Sequence, residues 1–204
     1  DIIVCRSEYP LDKGIKDKIA LFCNVPSSHV LQNLDVEYLY EAPLAMEEEH
    51  LAQVACECLN LPCPEPDLTD WKAMCTALKH PHGDVSVALV GKYTQLHDAY
   101  ISVVEALKHG GIANGVSVNI KWVDSEKVTS DNAAEFFNDV SGIIVPGGFG
   151  DRGIEGMIQA IRYARENSIP FLGLCLGMQL TIVEFTRDVI GYNDAHSVEF
   201  LPGT

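Results

Sequence analysis

The sequence predicts an α/β protein built on an open, doubly wound parallel sheet, and three observations carry that expectation. From Val85 onward, strand-like and helix-like segments alternate four times, the pattern of repeated β-α units. The strand segments SVALV, VSVNIKWV, GIIVP and Ile169 to Leu174 are nearly continuous apolar runs, as expected of strands covered by helices on both faces. Glycine-rich loops, PGGFGDRG and GLCLG, follow the last two strands, and in such sheets ligand sites lie at the carboxyl ends of the strands.

Each element follows from its local residues. After the strand SVALV, Asp98 is expected to cap a helix running to about Lys108, with Gly110 and Gly111 ending it and Lys108 and His109 as helix-end cations. Val116 to Val123 forms the second strand, Ala133 to Asn138 a helix, Gly142 to Pro146 the third strand, Gly153 to Asn167 a helix, and Ile169 to Leu174 the fourth strand. Upstream, IIVC and KIALFCNV, Lys18 to Val25, read as buried strands, and a helical stretch runs from about Leu44 to Leu59. LPCPEPD, Leu61 to Asp67, carries Pro62, Pro64 and Pro66 and suits a linker, since proline removes a backbone donor and fixes φ. A short helix, Asp70 to Lys79, follows. The expected organisation is the tail of one α/β domain over 1–60, a linker with a short helix over 61–83, and the first part of the doubly wound domain over 84–204. The opening on Asp1 reads as a start in mid-fold.

The 204 residues carry 29 acidic and 14 basic side chains, a net charge of −15. That balance argues against nucleic-acid binding through general electrostatics. No run of about 18 apolar residues suggests a membrane span, and no secretory signal pattern is present, so a cytoplasmic protein is expected. Cys56, Cys58, Cys63 and Cys75 lack the paired C-x-x-C knuckles of structural zinc sites, and no metal ligands are assigned.

The most informative residue is Cys175, in FLGLCLGMQ. Gly173 and Gly177 flank it in the G-x-nucleophile-x-G spacing of a nucleophile elbow, where a sharp strand-to-helix turn lifts the central side chain out of the sheet. Facing the positive end of the next helix favours a thiolate. Gly147-Gly148-Phe149-Gly150 follows the neighbouring strand, so the Gly148 amide is expected beside the Leu176 amide as an oxyanion hole.

PGGFG followed by GLCLGMQ resembles the class I glutamine amidotransferases, whose domain is flavodoxin-like. Val90 to Gly111, Val145 to Ile158 and Arg162 to Gln179, together with CRS and KIALFCNV near the start, resemble the CTP synthase family over essentially the whole chain. That resemblance implies a ligase (the class EC 6.3.4.2) of pyrimidine nucleotide biosynthesis. It aminates UTP to CTP with ATP and Mg2+, using ammonia released from glutamine through a Cys175 thioester. It further implies GTP as allosteric activator, CTP as feedback inhibitor and a homotetramer. By resemblance, Gly148, Leu176, Gly177, Met178 and Gln179 border the glutamine, and Glu199, in AHSVEF, binds it. His196 and Val198 depart from the family's pattern in that segment. Lys18 matches a lysine contacting UTP or CTP, and Leu34, Asp35 and Val36 match a segment near the ATP adenine. The resemblance puts the histidine and glutamate of the catalytic triad, and the metal ligands, outside these residues, the histidine two residues before the glutamate beyond Thr204. The 204-residue chain alone is therefore expected to lack sustained glutaminase activity. Two alternatives stay open: a different cysteine-elbow hydrolase of related fold, and a non-catalytic regulatory module.

Overall fold

The computed structural model describes residues 1–199. Phe200 to Thr204, the end of the expected 84–204 span, lie outside the described residues. The chain divides into two compact units, Asp1–Lys79 and His80–Thr204.

The first unit is a β-α-β crossover with helices following. Strand β1 (Ile3–Ser7) pairs in parallel with β2 (Val30–Leu34), with Ile3 opposite Val30 and Ser7 opposite Leu34. Between them KIALFCNV is not a strand: Lys13–Cys23 forms helix α1. The local chemistry explains the correction. Asp12 caps the helix by accepting from the Ile15 amide at 2.9 Å, and Asn24 ends it in the left-handed conformation at φ 53°. The apolar run is not uniformly buried either, because Ala20 packs inward while Leu21 and Phe22 are 78% and 77% exposed. The actual second strand, β2, is a short run behind a turn at Ser27–His29.

The expected single helix to Leu59 is two, α2 (Ala42–Glu48) and α3 (Leu51–Leu59), because His50 turns left-handed at φ 59°. After the prolines, helix α4 (Thr69–Lys79) belongs with this unit. Trp71 Nε1 and Cys75 Sγ both donate to the Tyr40 carbonyl, at 2.7 and 3.3 Å, and Lys79 pairs with Glu41.

The second unit is the doubly wound sheet. Strands β3 (Asp84–Gly91), β4 (Ser117–Asp124), β5 (Gly142–Val145) and β6 (Phe171–Gly173) are parallel in the order β4-β3-β5-β6. The order reverses beside β3, so the topological switch lies between β3 and β5, where such folds open a ligand crevice. Period-2 alternation sends Ala88, Val90, Ile143 and Val145 to one face and Leu89 and Ile144 to the other. The first set packs against helices α6 (Ala133–Phe137), α7 (Ile154–Glu166) and α8 (Leu176–Phe185). The second set packs against Val103, Val104 and Leu107 of α5 (Ile101–Asn114).

Helix α5 differs from expectation at both ends. A 3-10 turn, His97–Tyr100, precedes it, so Asp98 is not the cap. It also runs through Gly110 and Gly111 to end at Gly115, φ 67°, which leaves Lys108 and His109 inside the helix. Gly111 is needed for packing instead of termination, since a Cβ there would lie 2.7 Å from the Val116 carbonyl oxygen and 2.8 Å from Val118.

Candidate active site

The two glycine-bearing loops converge at the carboxyl ends of β5 and β6. Leu174 donates to the Val145 carbonyl at 2.9 Å, one step beyond the last β5–β6 pair, and the chain then turns at once into α8. Cys175 takes φ 51° and ψ −100° to make that turn. A non-glycine residue held there is strained by about 1–3 kcal/mol and persists only where its surroundings enforce it. The thiol is exposed, as an attacking group must be.

The flanking glycines are required by contact. A Cβ on Gly173 would lie 2.5 Å from the Gly177 carbonyl carbon, and a Cβ on Gly177 would fall on the Val145 carbonyl oxygen. The elbow is therefore tight on both sides of Cys175, and α8 starts directly against β5.

The PGGFG loop lies beside this turn. A Cβ on Gly147 would sit 3.5 Å from Cys175 Cβ, and one on Gly148 would sit 3.3 Å from Leu176 Cδ2. Leu176 is the first residue of α8, where helix geometry leaves an amide without an intrahelical acceptor. The expected neighbours Gly148 and Leu176 are thus brought together beside the thiol.

Glu199 joins them through Gln179. Gln179 Nε2 donates to Glu199 Oε2 at 2.5 Å, and Ser197 Oγ donates to Gln179 Oε1 at 2.7 Å. The Glu199 amide donates to Ser197 Oγ at 3.2 Å. Arg187 anchors the start of this segment, donating to the Ala195 carbonyl at 2.6 Å and to both oxygens of Glu155 at 3.0 and 3.1 Å. Cys175, Gly148, Leu176, Gly177, Met178, Gln179 and Glu199 thus share one edge. His196 Nδ1 is buried without a hydrogen-bond partner.

The nucleotide candidates lie in the other unit. Lys18 stands exposed on α1, while Leu34 ends β2 and Asp35 pairs with Arg6 at 3.1 Å. Among the described residues, no three His, Cys, Asp or Glu side chains are gathered to hold a metal ion, and no helix is long and apolar enough to cross a membrane.

Two features of the site escaped the sequence reading. Lys92, 5% exposed, reaches from the end of β3 to the carbonyls of Phe149 and Gly150 at 2.8 and 2.5 Å. Burial, and then the Arg152 guanidinium, hold its ammonium below the usual lysine range, opposed by Asp151. Ser197 is the other, as the bridge between Gln179 and the Glu199 backbone. The only signal for Lys92 was a lysine directly after an apolar strand in GKY, and nothing marked Ser197.

Comparison with known proteins agrees with this geometry. The chain matches the family described as "Glutamine amidotransferase class-I" over residues 95–201 and "CTP synthase N-terminus" over residues 1–61. It is 56% identical to the CTP synthase of Ruminiclostridium cellulolyticum over 200 residues, covering 98% of this chain and 38% of that protein. With the CTP synthase of Clostridium acetobutylicum identity is 55% over 204 residues, again 38% of the relative's length. The chain thus spans well under half the length of the curated relatives it matches. Among solved structures, the Trypanosoma brucei CTPS glutaminase domain with bound acivicin matches at a TM-score of 0.54 and 44% identity, over 57% of this chain and 46% of that one. On the matched families and the elbow geometry together, the chain belongs to the class I glutamine amidotransferases and, among them, to the CTP synthases.

Proposed function

We propose that the intact protein aminates UTP to CTP at the cost of ATP, with ammonia released from glutamine at Cys175. The observation that carries this reading is the strained, exposed Cys175 between two glycines that tolerate no side chain, with the PGGFG loop against it. The thiolate attacks the glutamine side-chain carbonyl carbon, and the tetrahedral oxyanion faces the Gly148 and Leu176 amides, where losing one donor typically costs about 10²–10³ in rate. With the proton that left the thiol returned to the amide nitrogen, collapse expels ammonia and leaves a γ-glutamyl thioester, which water hydrolyses to glutamate and free thiol. In this reading Glu199, held by Gln179 and Ser197, pairs with the substrate α-ammonium. In this reading the histidine that moves the protons lies outside the described residues, so alkylation of this chain is expected without sustained turnover.

Residues 1–60 are read as the end of the synthetase domain, 61–83 as a linker and 84–204 as the amidotransferase part. Lys18 is assigned to UTP or CTP, and Leu34, Asp35 and Val36 to the ATP adenine. In this reading Mg2+ accompanies ATP in the intact protein with ligands outside this chain; among the described residues no three His, Cys, Asp or Glu side chains are gathered to hold a metal ion. GTP activation, CTP feedback inhibition, a homotetramer and a cytoplasmic location belong to the same proposal.

Acivicin, the compound bound to the T. brucei glutaminase domain, tests the reading. Mass spectrometry of the treated protein should place the adduct on Cys175 and show glutamine protecting it. Labelling that ignores glutamine would favour another cysteine-elbow hydrolase or a regulatory module.

A further inference from the structure

We propose that Lys92 is a positioning residue for the oxyanion-binding loop: its buried ammonium clasps the Phe149 and Gly150 carbonyls and so sets the direction of the neighbouring Gly148 amide. The proposal rests on the reading of Cys175 as the glutamine nucleophile. Three of the four residues Gly147 to Gly150 are glycines, and Gly150 adopts φ 73°. Such a loop has no side chains to hold it and wide conformational freedom. An oxyanion donor is useful only if its direction is fixed before reaction.

Lys92 supplies that constraint from a different strand. Each peptide is planar, with its C=O and the following N–H opposed. Turning the Phe149 and Gly150 carbonyls toward Nζ therefore directs the Gly150 and Asp151 amides away from it, and restricts the peptide units next to Gly148. The lysine stem supports Gly148 from below, since a Cβ there would lie 3.6 Å from Lys92 Cε and 3.8 Å from Cδ.

The clasp is itself held at both backbone ends. The Lys92 amide donates to the Tyr100 hydroxyl at 3.1 Å, and Arg152 donates to the Lys92 carbonyl at 3.1 Å. Gly91 allows Tyr100 this close, because a Cβ there would lie 2.5 Å from the Tyr100 hydroxyl oxygen. A buried ammonium is costly unless hydrogen-bonded, and here its acceptors are the carbonyls of the glycine loop. The arrangement stands at the β3–β5 switch, so the switch strand and the oxyanion loop are tied by one side chain.

Full-length protein carrying Lys92→Met tests the assignment. Glutamine hydrolysis should lose about 10- to 100-fold in kcat, part of the cost of one lost oxyanion donor. KM should hold within about twofold, the signature of an interaction made in the transition state. CTP formation from free ammonia and alkylation of Cys175 by iodoacetamide should match the parent protein. Lys92→Arg keeps donors and charge and should recover most of the lost kcat. An unchanged kcat in Lys92→Met, a change confined to KM, or an arginine variant no better than methionine would overturn the proposal. If Lys92→Met does not fold, Lys92→Gln, which keeps a donor but not the charge or reach of the ammonium, takes its place: a lower kcat at constant KM supports the clasp, and parental kcat or a change in KM only overturns it. Failure of the Cys175 reading is separate, because Cys175→Ala would then still hydrolyse glutamine.

Discussion

Gln179 and Glu199, 20 residues apart, are joined side chain to side chain at 2.5 Å, with Ser197 closing the arrangement on the other oxygen of the Gln179 amide. One helix thus carries both the elbow and the residue that holds the glutamate, so the nucleophile and the expected substrate anchor share a single rigid element.

Releasing that link should weaken substrate binding more than chemistry. Gln179→Ala is expected to raise KM for glutamine roughly tenfold, about 1.4 kcal/mol of binding, with a smaller change in kcat. Steady-state glutaminase kinetics read both, and an unchanged KM would detach Glu199 from substrate binding.

Gly177→Ala should disrupt the elbow, because the added methyl falls on the Val145 carbonyl oxygen. Overpacking of this kind costs typically about 1–3 kcal/mol. Denaturant titration should show the loss, and acivicin labelling of Cys175 should slow in whatever fraction remains folded.

Arg165 donates to the same carboxylate oxygen of Glu184 through Nε at 2.9 Å and Nη2 at 2.8 Å, with the Glu184 side chain 1% exposed. The Glu184 hydrogen bond raises the arginine further above its ordinary value. Arg165→Met leaves a buried, unpaired carboxylate and should cost about 3–5 kcal/mol, whereas the double change with Glu184→Leu should cost far less. Equal losses in single and double variants would mean that the pair contributes through packing alone.

In the first unit, Glu49 accepts from Lys16 Nζ at 2.8 Å and from the Gln32 amide and side chain at 3.2 and 2.9 Å. Burial pushes its carboxyl up, and these donors outweigh that to hold it below its ordinary 4.5. A lowered folded value means the stabilisation is complete above pH 4.5 and is lost as pH falls through the folded value. Trp71 fluorescence in a Trp122→Phe background should show acid unfolding of this unit that is less steep in Glu49→Gln.

Much of the second unit was legible because each of its strands is a dense apolar run and each helix follows a turn signal. The Cys175 elbow was legible for the same kind of reason: its glycines are demanded locally, by Gly173 against Gly177. What was not legible depends on distant partners. Lys92 acts on carbonyls 57 and 58 residues further along, and no local pattern encodes that. KIALFCNV misled because its run of apolar residues resembles a buried strand, whereas the deciding features, the Asp12 cap and the exposure of Leu21 and Phe22, lie outside the run's composition.

The central claim is that Cys175 is the nucleophile that frees ammonia from glutamine. Cys175→Ala in the full-length protein addresses it most directly, by measuring CTP formation with glutamine and with ammonium chloride side by side. The account predicts that the glutamine-dependent reaction disappears and the ammonia-dependent reaction stays at the parent rate. Glutamine-dependent synthesis that survives the substitution, or loss of both reactions together, would contradict it.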